Sequence, residues 1–357
     1  MNDHDPLIDF VEEVSGDSRL KVEENLGDGF VRLRISEAER RQAKHDVRAL
    51  EDIVIELLRN SRDAHASRIF VAASRDGDLR LLTVVDDGTG VPEHLHERIF
   101  EPRVTSKLET MVTDSWGVHG RGMALYSVRS NVMTARIACS EAHRGLALNV
   151  VSDTAQLAER ADQSTWPSLG RDEGGRMVVT RGPHNIIRRV VEFALEHPSV
   201  EVYLGSPAEV VATMHAMARD ELPTSELLFN DDVGRLMVWQ RPSVAAGACE
   251  LVDISSELGL DISERTAHRI LSGEVAPLRA VLASMATPSG PAASAPNIFK
   301  DRRGLRVTDE DLARFSNALT DAFEDLAERY YVQLRGEPKI VVGKDEIRVR
   351  FTVDKDE

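Results

Sequence analysis

Residues 86–92 read Asp-Asp-Gly-Thr-Gly-Val-Pro (DDGTGVP) at the end of a β-rich run, and residues 117–125 read GVHGRGMAL just before an apolar, helix-like segment. Two carboxylates set against paired glycines, with more glycines at a later helix start, describe either two turns or a nucleotide site. In the second case one loop serves a base and the other serves phosphates.

The stretch upstream favours the nucleotide site. Residues 56–66 read ELLRNSRDAHA within a helical pattern running from about Ala43 to Ala66, where Leu50, Ile53, Val54, Leu57 and Leu58 recur at three- and four-residue steps. Glu56, Asn60 and Asp63 are four and three residues apart, so they share one face of that helix beside the apolar stripe. Asn60 has a neutral carbonyl oxygen suited to Mg2+, a hard ion that completes its shell with substrate phosphates. Glu56 can hold and activate a water for attack on a γ-phosphorus. Asp86, at a strand end, can accept a hydrogen bond from an exocyclic amine, which favours adenine over guanine.

Gly88 and Gly90 let the backbone pass close to a base. Gly117, Gly120 and Gly122 can turn backbone N–H groups toward phosphates, with Met123 opening the helix that follows. His119 and Arg121 are candidate phosphate contacts from the same loop. Neither glycine group ends in the Lys-Ser/Thr of a P-loop, and the close strand-Gly-helix opening of a dinucleotide fold is missing.

The remaining sequence sets the frame. A chain of 357 residues allows two or three domains, and 42% hydrophobic with 29% charged residues is ordinary for a globular protein. A formal charge of −16 argues against broad nonspecific contact with nucleic acid. The local basic stretch FKDRRGLR, residues 299–306, leaves a limited DNA contact open. Cys139 and Cys249 stand in unrelated surroundings, which gives neither a disulfide framework nor a cysteine zinc site and points to the cytoplasm. The first twenty residues lack the basic start and apolar run of a secretion signal.

Strand patterns at residues 29–36, 67–74 and 77–86, with a hairpin turn at Arg75–Asp78, precede a long irregular segment from Pro92 to Gly120. A helix near 123–132, strands near 134–139 and 146–150, and the strand GRMVVTR complete an α/β layer with a mixed or antiparallel sheet. The expected organisation is an ATP-binding domain with an N-terminal extension at 1–181 and a helical region at 182–286. A flexible joint at 287–296 then leads into a long helix and a terminal β pair at 287–357.

In order, ELLRNSRDA, DDGTGVP and GVHGRGMAL resemble the N, G1 and G2 boxes of the ATPase superfamily that unites gyrase, the ninety-kilodalton heat-shock chaperones, histidine kinases and MutL. The resemblance implies a layered α/β sandwich of the histidine kinase-like (Bergerat) ATPase fold, followed by a mostly helical module and a short terminal strand region. It also implies ATP and Mg2+ as cofactors, Glu56 as hydrolytic base, Asn60 as metal ligand, Asp86 as adenine contact and an ATP lid before Gly120. IFEPRVTSK, residues 99–107, resembles the box before the lid in histidine kinases, and its TSK ending resembles topoisomerases of the VI class. Lys107, Lys339 and Lys344 are candidate γ-phosphate sensors, although each also suits an exposed solubilising lysine.

Residues 185–205, 251–273 and 299–319 resemble the transducer opening, the helix-two-turns-helix insert and the following helices of a topoisomerase VI B subunit, here truncated. The superfamily resemblance implies an ATP-dependent homodimer, and the topoisomerase VI B likeness implies a protein partner carrying the downstream activity, with no strand cleavage by this chain. The alternatives are a histidine- or serine-type kinase acting in trans and a noncatalytic nucleotide-binding adaptor.

Overall fold

The structure, a computed structural model, describes residues 22–106, 112–114, 117–119, 122–223, 233–286, 309–330, 332–336, 338–342 and 347–355. An antiparallel pair, β1 (Val22–Gly27) and β2 (Phe30–Leu33), leads into α1 (Glu37–Asp46) and α2 (Leu50–Asp63). The single helix expected from about Ala43 to Ala66 is thus divided. Ser36 and Glu39 form a reciprocal cap that starts α1. The Asp52 carboxylate accepts from the backbone N–H groups of Arg48 and Ala49, both at 3.0 Å, and so begins a second helix.

The hairpin of β3 (Arg68–Asp76) and β4 (Leu79–Asp86) follows, turning at Gly77 with φ +59°. The segment expected to be irregular contains short turns at Glu93–Leu95 and Arg98–Phe100. It also holds β5 (Val104–Thr105) and the paired β6 (Val112–Asp114) and β7 (Gly117–His119). Next come α3 (Ala124–Asn131), β8 (Thr134–Ser140) and β9 (Leu146–Asp153), then a hairpin of β10 (Ser168–Arg171) and β11 (Met177–Arg181). α4 (Ile186–Glu196), β12 (Glu201–Gly205), α5 (Pro207–Glu221), α6 (Ala248–Glu257), α7 (Glu264–Leu271) and α8 (Val281–Ala286) complete the first unit.

Its centre is a mixed five-stranded sheet in the order β12-β3-β4-β9-β8, in which only the β12–β3 pair is parallel. The sequence of β3 explains its central position: Ile69, Val71 and Ala73 face one apolar cluster, while Phe70 and Ala72 face another. The first cluster packs α2, α3 and α4 on one face of the sheet through Leu50, Leu58, Val128, Ile187 and Val190. The second packs α5, the Val238–Val244 turn, α6 and α7 on the opposite face through Met214, Trp239, Leu251 and Ile270. Burying each such side chain contributes about 2 kcal/mol.

Residues 185–205, expected to open a second, transducer-like region, carry α4 and β12. Their strand is β12, hydrogen-bonded to β3 inside the same sheet. A helix-strand pattern reveals the elements but not the distant partner with which the strand pairs. Similarly, α6 and α7, read as a DNA-enzyme insert, are covering helices on the sheet's second face. Thr83 Oγ donates to the Gly259 carbonyl at their connecting turn at 2.7 Å, and Asn149 Nδ2 donates to Thr83 Oγ at 3.0 Å.

The second unit, residues 300–357, contains α9 (Asp309–Tyr330) and, among the described residues, the expected terminal strand pair together with a further antiparallel pair. β13 (Val332–Leu334) pairs with β16 (Val353–Lys355), and β14 (Lys339–Val342) pairs with β15 (Ile347–Arg350). Phe323 stacks on Phe351 with ring centroids 4.8 Å apart. Among the described residues, no helix is long and apolar enough to cross a membrane.

Candidate nucleotide site

The fold brings the three sequence motifs together. α2 carries Glu56, Asn60 and Asp63 and packs against both α3 and β4, so the helix motif meets the strand end bearing Asp86 and the helix after the second glycine group. The closest link is side chain to side chain: Ser61 Oγ donates to Asp86 Oδ2 at 2.6 Å. The Gly88 backbone N–H donates to the other carboxylate oxygen, Oδ1, at 3.0 Å.

Asp86 is fully buried, and desolvation pushes its carboxyl up to about 6 against the opposing effect of the Ser61 and Gly88 hydrogen bonds. A carboxylate accepts at both oxygens, and here each oxygen already has one donor. Its neighbour Asp87 does something different. It accepts from the Ser67 and Arg68 backbone N–H groups at 2.7 and 2.8 Å and from the Ser67 hydroxyl, closing the loop onto the start of β3. The two carboxylates therefore divide between the site and the scaffold.

Glu56 is paired with Arg59, whose Nη1 lies 2.6 Å from Glu56 Oε1; the arginine side chain is 5% exposed and the glutamate 22%. Asn60 Nδ2 is buried and has no hydrogen-bond partner among the described residues. Such an amide fits a group arriving from outside, and its oxygen suits Mg2+ presented together with phosphates. Asp63 accepts from Arg62 at 2.7 Å, and Arg62 Nη1 lies 2.9 Å from His197 Nε2 just past α4, a clasp between helices.

The glycines are explained by close approach. A Cβ at Gly88 would sit 2.7 Å from the Ala64 carbonyl oxygen. Gly90, at φ +65°, faces the Glu141 carbonyl oxygen so closely that no Cβ fits. Gly122, at φ +67°, would place a Cβ 2.7 Å from the Val104 carbonyl oxygen, and its own carbonyl accepts from Arg103 N–H at 2.8 Å. The two ends of the Thr105–Gly122 stretch are thereby joined at their base. Arg103 itself pairs with Glu39 of α1, so the N-terminal extension holds this junction.

Met123 is the N-cap residue of α3, and its carbonyl accepts from Ser127 N–H at 2.8 Å. Gly117 and His119 lie in β7, opposite Asp114 and Val112, so the second glycine group begins in a paired strand. Lys107, Gly120 and Arg121, together with the His119 side chain, lie outside the described residues. So does Lys344, whereas Lys339 opens β14 in the second unit. The 299–306 basic stretch is also outside them.

Sequence reasoning missed Ser61, whose only signal was a hydroxyl next to Asn60. It also missed the Ser140–Gly145 turn, which touches the 86–91 loop although no motif marks it.

Residues 45–161 match the family model described as histidine kinase-, DNA gyrase B-, and HSP90-like ATPase. That match falls on the layered domain built around Asp86 and α2, whose sheet-and-helix fold is consistent with the family. The similar curated proteins are mismatch-repair proteins. "DNA mismatch repair protein MutL" of Aquifex aeolicus (strain VF5) is 40% identical over 83 residues, covering 22% of this chain and 19% of that protein. The MutL of Aquifex pyrophilus is 36% identical over 106 residues, 28% of this chain and 24% of that protein. That of Thermus thermophilus is 30% identical over 208 residues, 56% of this chain and 36% of that protein. The chain thus matches little more than a third, at most, of these relatives' length. These likenesses lend no support to the nearer topoisomerase VI B kinship that the covering helices had implied.

Proposed function

We propose that this chain is a Mg2+-dependent ATP-binding and slowly hydrolysing conformational switch that serves a DNA-processing assembly. The observation that carries this reading is the Ser61–Asp86 hydrogen bond, which fixes a buried adenine acceptor against the helix bearing Glu56 and Asn60. In the proposed site Asp86 accepts from the exocyclic amine, and Asn60 supplies an oxygen to Mg2+. Bound Mg2+ would neutralise charge on the phosphate oxygens. Glu56 takes a proton from the attacking water as that oxygen bonds to the γ-phosphorus and the bridging bond breaks, yielding ADP and phosphate.

Similarity to proteins named for DNA mismatch repair favours a repair-type assembly over a topoisomerase VI complex. Within it the chain acts as an ATP-dependent homodimer that passes its state to a protein partner, with DNA contact local or indirect. Cys139 and Cys249 are both free thiols, which fits a reducing cytoplasm. Calorimetric titration with ATP and with GTP, each with and without Mg2+, tests the reading. Mg2+-enhanced binding that prefers ATP and is lost in Asp86→Asn is expected, and equal binding of ATP by that variant would refute it.

A further inference from the structure

The loop that carries Asp86 is gripped by a turn belonging to none of the three motifs. Val91 N–H donates to Ser140 Oγ at 2.8 Å, and the same hydroxyl donates to the Gly145 carbonyl at 2.9 Å. His143 N–H donates to the Thr89 carbonyl at 2.6 Å. The chains approach closely enough that Gly90 faces the Glu141 carbonyl, and Gly145, at φ +90°, faces the carbonyl of Asp86 itself, with no room for a Cβ at either position. Ser140 is 6% exposed and Val91 9%. One buried hydroxyl therefore bridges both strands of the clasp.

The outer side of the turn is anchored to the helices on the sheet's second face. Val238 N–H donates to the Arg144 carbonyl at 2.8 Å, and the Arg144 guanidinium donates to the Gly234 carbonyl. Arg241 donates to Cys139 Sγ at 2.8 Å and lies 3.5 Å from Glu141. The turn is consequently braced from behind and presses forward on the Asp86–Val91 loop. Since the Gly88 N–H in that loop orients Asp86 Oδ1, any play in the loop becomes play in the acceptor that would distinguish adenine from guanine.

We infer that Ser140 is a positioning residue for nucleotide recognition, setting the Asp86 loop through its hydroxyl and thereby contributing to base selectivity. The inference rests on the proposed nucleotide site and adds to it a residue outside the three motifs. A hydroxyl serving both as acceptor and donor between two loops fixes their spacing, whereas a methyl group of similar size fills the volume without fixing it.

The test compares Ser140→Thr with Ser140→Val in the full chain; both are β-branched residues suited to β8, and they differ only in hydroxyl against methyl. Thermal unfolding checks the fold, and calorimetry measures ATP and GTP binding. The Thr variant is expected to bind ATP within about twofold of wild type. The Val variant should bind ATP about tenfold more weakly, with a smaller ATP-to-GTP preference and an unchanged kcat at saturating ATP. Equal affinities and preferences in the two variants would overturn the inference, as would loss of binding in the Thr variant. Unfolding of the Val variant alone would assign the hydroxyl to stability and overturn it as well. Wild type that binds no nucleotide would remove the proposed site and this inference together, whereas wild-type binding with indifferent variants would remove only the inference.

Discussion

Ser61 Oγ lies 2.6 Å from Asp86 Oδ2, joining a residue of the α2 motif to the acceptor at the end of β4. Because that hydrogen bond lowers the Asp86 carboxyl, removing it in Ser61→Ala should move the group above about 6. The proposed adenine recognition needs the ionised form. ATP affinity of the variant should therefore fall more between pH 8 and pH 6.5 than that of wild type, by about tenfold at the lower pH. Parallel pH dependence in the two proteins, measured by titration at both pH values, would show that the hydroxyl does not tune the acceptor.

Burial of Asp86 also carries a cost in stability with a definite sign. Its carboxyl stands at about 6 in the folded chain against 3.8 ordinarily, so the folded state keeps a proton that the unfolded chain releases. The associated stability is fully present below pH 3.8 and is lost as pH rises through 6, a difference of about 3 kcal/mol. Asp86→Asn should flatten this part of the stability profile, read by urea unfolding between pH 4 and about pH 7, while abolishing ATP binding. An unchanged slope would mean that Asp86 is not the buried proton site.

Arg59 Nη1 lies 2.6 Å from Glu56 Oε1 and fixes the carboxylate that the proposed hydrolysis uses. Arg59→Met should lower kcat by about tenfold through loss of orientation while leaving the ATP dissociation constant within about twofold. Arg59→Lys should recover part of the rate. An effect on binding alone would place Arg59 with the nucleotide rather than with Glu56.

Two glycine substitutions separate close approach from backbone conformation. Gly90→Ala meets the Glu141 carbonyl and is expected to cost about 3 kcal/mol or more, together with nucleotide binding. Gly77→Ala has a similarly positive φ but open space around it, and should cost about 1 kcal/mol and leave binding intact. Equal destabilisation of the two in denaturant unfolding would remove the packing explanation for Gly90.

The legible parts of this chain were those encoded locally. The helix face of Glu56, Asn60 and Asp63, the Gly77 hairpin and the strand end at Asp86 follow from periodicity and turn chemistry within short windows. The parts not legible depend on pairings between distant residues. β12 joins β3 across more than a hundred residues, and α6 and α7 cover the sheet's second face through an apolar cluster, with Thr83 of β4 bonded to Gly259 in their connecting turn. Ser140 carries no local signal for the same reason, since its partners are Val91 and Gly145 rather than its neighbours in β8. The break between α1 and α2 turned on one carboxylate, Asp52, capping a helix that periodicity alone would continue.

The most direct measurement is Mg2+-dependent ATP turnover by purified wild type and Glu56→Ala, with nucleotide binding followed in the same samples. Slow phosphate release by wild type that disappears in Glu56→Ala, with ATP affinity preserved, is the expected result and assigns Glu56 to the chemical step. Equal turnover in the two proteins, or binding without turnover in either, would contradict a hydrolytic switch built on this helix.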